Sequence, residues 1–198
     1  MIRKAAVVIV ILMISSLVHA QSADSVYNQY LDFNLARFQG EQDKVIALGE
    51  AILPNAEKLP EKARANFYFS AGKMYEDDGQ PDKAIIYYQK VALAVPDYYV
   101  AHRALGYLYA DKAKQVEKQV ALSADNKIML AQLTSAYQRA VNTALPHLEK
   151  AQACDPDDDT LQLIKTLHKK LNDEAGLNSL DERLRQLRKN CIDILPDR

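Results

Sequence analysis

The chain predicts an all-α fold, built as an array of paired helices, and three observations carry that expectation. Small and aromatic residues recur at a fixed offset: Gly72 and Tyr75 are followed 34 positions later by Gly106 and Tyr109. Apolar residues keep spacings of three and four, the period of one helical face. With six Gly and no Trp in 198 residues, the composition argues against a turn-rich β-sandwich or barrel.

Residues 1–20, MIRKAAVVIVILMISSLVHA, differ from the rest. A basic start (Arg3, Lys4), an apolar run and a small-residue end at Val18-His19-Ala20 read as an export signal cut after Ala20. A membrane span takes about 20 apolar residues, and Ser15, Ser16 and His19 interrupt this run too early. No Cys follows the cleavage point to carry a lipid anchor. The expectation is a periplasmic or secreted domain over 21–198, without stable membrane insertion once the signal is removed.

The best-formed unit covers 65–98. Gly72 marks a close helix approach and Tyr75, one turn on, fills the space beside it. DGQPD is the turn, with Gly79 able to turn left-handed and Pro81 opening the second helix. Ala84, Tyr88 and Val91 share that helix's face, and Pro96 lies just past its end. The next unit repeats Gly106 and Tyr109, but its ending, Ala144, Leu148, Ala151 and Pro156, comes 60 positions after the counterparts. An insertion of 26 residues has opened it, over 110–141 of a unit spanning 99–156. Ala113, Val116 and Val120, then Leu130, Leu133, Tyr137 and Val141, continue helical spacing through that insertion. It therefore predicts a projecting helical hairpin, each arm about 13 residues or about 20 Å longer, turning at LSADNK. Pro146 should bend the return arm. A looser unit covers 24–60, its excess length in the loop NAEKLPEK. A capping pair covers 157–195, with Leu180, Leu184, Leu187, Cys191 and Ile194 as one apolar stripe opposite Arg183, Arg185, Arg188 and Lys189.

A 34-residue helix-turn-helix period with Tyr68, Gly72, Tyr75, Ala84, Tyr88 and Pro96 resembles the tetratricopeptide repeat. Gly106, Tyr109, Ala144 and Pro156 extend the resemblance into the opened unit, while the long insertion departs from it. The resemblance implies a short right-handed α-α superhelical solenoid whose first helices line a concave face. It places Tyr27, Tyr30, Asn34, Arg37, Asn66, Phe69, Lys73, Arg103 and Tyr107 on that face. Aromatics interspersed with basic groups suit a peptide or protein partner. The function so implied is an exported interaction scaffold or adaptor. The alternative is an accessory glycan- or substrate-binding subunit of an envelope complex.

No enzyme is expected. CDPDDDT lacks the alternating ligands, central Gly and distal Glu of a calcium loop. His102, His147 and His168 lack the four-residue spacing of a helical zinc site, and read as one packing residue and two surface residues. No phosphate loop or nucleophile elbow occurs, so no cofactor or metal is expected. A formal net charge of -1 leaves no case for nucleic acid. Cys154 and Cys191 allow a single disulfide pairing. In a tetratricopeptide arrangement both lie at the same end of neighbouring second helices, where a bond is feasible; two buried free thiols are the alternative.

Overall fold

The computed structural model describes residues 22–195 except residue 124, so the expected signal segment lies outside the described residues. Among the described residues the fold is all-helical, with one isolated bridge, between Tyr98 and Ile192, as its only β pairing. The helices are α1 (Ala23–Gln39), α2 (Gln42–Ile52), α3 (Glu61–Asp77), α4 (Pro81–Ala94), α5 (Tyr99–Leu122), α6 (Lys127–Cys154), α7 (Asp158–Lys170), α8 (Glu174–Asn178) and α9 (Leu180–Leu187). A 3-10 segment, Leu53–Lys58, takes up the first half of the loop NAEKLPEK, and α3 takes its last two residues.

Local chemistry sets these boundaries. The Ser22, Asn126 and Asp157 side chains accept the backbone N–H three residues on, capping α1, α6 and α7. Gly40 (φ 72°) and Gly79 (φ 69°) end their helices left-handed, a conformation costly for residues with a Cβ. Pro81 opens α4, where its missing N–H has no helical partner to lose.

Helices pack as sequential pairs, α1 with α2, α3 with α4 and α5 with α6. Gly72 and Gly106 sit where the partner helix presses closest. A Cβ at Gly72 would meet the Tyr88 ring at 2.7 Å, and one at Gly106 would meet Leu148 at 2.8 Å. Tyr68, Tyr75 and Tyr88 are buried in a first core that runs from Val26 to Leu105. Tyr88 satisfies its hydroxyl by donating to Glu76 (2.7 Å), and burial pushes its pKa up. A second core joins Ala113, Val141, Ala144 and Leu148 to Ile164, Leu167 and Leu180, with Tyr109 packed against both cores.

The inserted hairpin divides unevenly. α5 and α6 have 24 and 28 residues, against 17 and 14 in α3 and α4, so the return arm takes most of the extra length. α6 continues as one helix through Pro146. α7 supports the base of the hairpin as far as Glu117, which accepts from Lys170 at 2.5 and 2.7 Å. Among the described residues none between Ala113 and Val141 is buried. Among the described residues the distal part is two helices packed against each other.

The C-terminal stripe is not one helix. α9 ends at Leu187, Leu180 is the only buried residue of the five, and Ile194 is 72% exposed. Beyond it the chain becomes an extended tail. Ile192 N–H donates to the Asp97 carbonyl (2.8 Å) and Tyr99 N–H to the Ile192 carbonyl (3.2 Å), while Leu195 is buried in the first core. Cys154 and Cys191 are joined by a disulfide with Cα atoms 5.6 Å apart, so the bond ties the end of α6 to this tail instead of to a helix.

Candidate functional site: a cleft between the first and third helices

α1 is apolar on two sides. Val26, Tyr30, Phe33 and Ala36 face the core. Tyr27, Leu31, Leu35 and Phe38, spaced four, four and three, form a second stripe on the far side, 40%, 48%, 50% and 91% exposed. A soluble helix gains nothing by showing such a stripe to water, and contiguous apolar surface of this kind marks interaction sites.

Tyr27, Leu31 and Phe38 of this stripe border a cleft between α1 and α3. Two adjoining hollows of about 480 and 430 Å³ share Asn34, Arg37 and Ser70. Tyr27, Tyr30, Leu31, Asn66 and Phe69 line the first; Phe38, Lys73, Met74 and Asp77 help line the second. Arg37 donates to the Asn34 carboxamide (3.3 Å) and lies over the Phe33 ring, which holds its guanidinium at the cleft. Lys73 pairs with Asp77, and that hydrogen bond raises the pKa of the ammonium. The cleft thus offers aliphatic and aromatic contact along one wall, with two cations at its middle and far end.

Seven of the nine residues expected on the concave face line this cleft: Tyr27, Tyr30, Asn34, Arg37, Asn66, Phe69 and Lys73. Tyr30 is buried at its floor and Phe69 is half-buried against Tyr88 and Tyr98. Arg103 and Tyr107 lie elsewhere. Arg103 pairs with Asp155 (2.8 Å) and the Tyr107 hydroxyl bonds Thr160 (2.7 Å), so the start of α7 engages that part of the face. Leu31, Leu35 and Phe38 were missed by the sequence reading, although their spacing beside Tyr27 is visible there.

Two histidine clusters correct the surface assignment of His147 and His168. His168 is 4% exposed between Asp173 (2.8 Å) and Glu149 (3.1 Å). Glu149 also takes Nε and Nη2 of Arg183 at 2.8 and 2.6 Å. The remaining Arg183 donors go to Gly176, Ser179 and His168. All three guanidinium nitrogens are then engaged, so this network locks α7, α8 and α9 onto α6. Asp173 is held below the usual carboxylate range, first by the Gly176 N–H and then by His168.

His102 and His147 meet Nδ1 to Nδ1 at 2.9 Å, and His102 Nε2 lies 3.0 Å from the Pro96 carbonyl. That carbonyl requires a donor, so His102 Nδ1 accepts and His147 Nδ1–H donates. Burial lowers both pKa values, and His102 lowers that of His147 further, to about 4 from 6.5. Unfolding therefore exposes a base that binds protons more readily than the folded one. Stability from His147 is complete above pH 6.5 and is lost as pH falls to about 4, by about 2 kcal/mol once partial exposure is discounted. His147→Phe should shrink this acid sensitivity, as read from melting temperatures across that pH window.

Among the described residues no group of three or more His, Cys, Asp or Glu is placed to hold a metal ion. No described helix is long and apolar enough to cross a membrane. No family model, curated protein or solved structure matches the chain.

Proposed function

We propose that this chain is a tetratricopeptide-like adaptor that grips a segment of a protein partner in the cleft between α1 and α3. The observation that carries the reading is that the exposed Tyr27, Leu31 and Phe38 line one cleft with Arg37 and Lys73. A matching segment presents bulky apolar side chains at helical or extended spacing, with a carboxylate set to meet Arg37. Arg suits that role because its planar fork pairs a carboxylate with two parallel hydrogen bonds. The glycan alternative is weaker, because sugar stacking needs open ring faces and Tyr30 and Phe69 spend theirs on packing. With residues 1–20 read as an export signal, the adaptor works outside the cytoplasm. The partner is sought among proteins retained by the chain from the envelope fraction of its own cells. Replacing Leu31 and Phe38 together by Ser should weaken capture of that partner about tenfold or more, through lost apolar burial. Both positions are exposed, so the melting temperature should stay nearly constant. Unchanged capture by a folded double variant would refute the reading.

A further inference from the structure

The distal hairpin carries a second exposed apolar surface, far from the cleft in sequence. Leu122 and Ile128 flank the turn and are 87% and 76% exposed; Met129 is 48% exposed. On either side of the turn, Ser123 N–H donates to the Val120 carbonyl, and Asn126 caps α6 by accepting from Met129 N–H (3.0 Å). From the tip, Leu122, Met129, Leu133 and Ala136 continue along one side as a shallow hollow that ends at Arg139.

Charge is distributed unevenly around this strip. Residues 118–139 hold Lys118, Lys127 and Arg139 against a single carboxylate, Asp125, in a chain of formal net charge -1. Lys118 and Lys127 are exposed near the tip and Arg139 is exposed at the far end, so cations stand at both ends of the apolar strip.

The strip is too small for a stable protein interface. At 1.5 Å per residue it runs about 15 Å along two helices, or roughly 300 Å², where a stable complex buries about 800 Å² on each partner. It matches in scale what an amphipathic element places into the headgroup boundary of a bilayer. We propose that the hairpin tip docks reversibly on an anionic lipid surface. Leu122, Ile128 and Met129 enter the interface, while Lys118, Lys127 and Arg139 meet lipid phosphates.

The test is co-sedimentation of residues 21–198, which contain both cores and the disulfide, with vesicles of phosphatidylcholine, with or without about one-third phosphatidylglycerol. Binding is expected on the anionic vesicles alone and should weaken as salt rises from about 0.05 to 0.5 M. Leu122→Ser with Ile128→Ser should reduce it about tenfold or more. Lys118→Glu with Lys127→Glu should abolish the preference for anionic vesicles. The cleft variant Leu31→Ser with Phe38→Ser should bind vesicles normally, which separates this surface from the partner cleft. Far-UV circular dichroism confirms that each variant is folded. Three results overturn the proposal: no sedimentation with anionic vesicles at low salt; undiminished binding by the folded Leu122/Ile128 variant; or a concentration-dependent dimer, without vesicle binding, that the same variant dissolves.

Discussion

Glu149→Ala is expected to cost about 2–3 kcal/mol, the range for losing hydrogen bonds to a charged group when one partner, Arg183, keeps a third of its side chain in water. The Glu149 side chain is 7% exposed and accepts both Nε and Nη2 of Arg183 as well as facing His168. Without the carboxylate, the half-buried Arg183 guanidinium loses its main acceptor. The loss should appear as a fall in melting temperature of roughly 4–12 °C for a domain of this size. It should be accompanied by faster amide exchange in α8 and α9, which the network holds against α6. Glu149→Met combined with Arg183→Met should recover part of the loss, since replacing a buried pair by apolar groups leaves no charge uncompensated. If Glu149→Ala melts within a degree or so of the parent, the network does not anchor the C-terminal helices.

Opening the disulfide between Cys154 and Cys191 is the second large effect. The bond closes a loop of 37 residues, and the chain-entropy relation gives about 3–4 kcal/mol for that length. More than loop entropy depends on it. Asn190 gives its carbonyl to the buried ammonium of Lys150, which also pairs with Asp97 (2.8 Å). Next along the tail come the two Ile192 backbone bonds and the buried Leu195. Cys154→Ser with Cys191→Ser, or reductant, should lower the melting temperature by several degrees. It should raise hydrogen exchange first at the Ile192 and Tyr99 amides, with α1 and α2 little affected. Equal stability with and without reductant would show that the tail holds its place through its other contacts.

What the sequence revealed follows its periodicity. Gly72 and Gly106 were legible because close helix approach permits no Cβ, and that constraint repeats with the structural unit. The turns were legible because Gly79, Pro81, Asn126 and Asp157 each match a specific backbone need. The cleft was legible to the extent that it lies on helix faces: seven of its residues are ones that the tetratricopeptide resemblance implied for the concave face. Arg103 and Tyr107 fell away because register gives direction and not occupancy, and Asp155 and Thr160 hold them. The second stripe on α1 was hidden because two apolar sides on one helix blur the contrast that amphipathic reading depends on. Glu149 and Arg183 carried no signal at all. A buried ion pair between residues 34 positions apart looks, in sequence, like two ordinary surface charges. The last helix was expected to run on because Cys191 and Ile194 stay in phase with its leucines past Leu187, whereas the chain there bonds to the segment before α5.

The adaptor reading stands on the cleft, and site-specific photocrosslinking addresses it most directly. A photoreactive residue in place of Leu31 faces the cleft; one in place of Ile86, 51% exposed on α4, lies outside it. In cells that express the protein, the account predicts a discrete adduct from position 31, none of that mass from position 86, and loss of the adduct when Phe38→Asp is added. Adducts common to both positions, or an adduct from position 31 that survives Phe38→Asp, would contradict it.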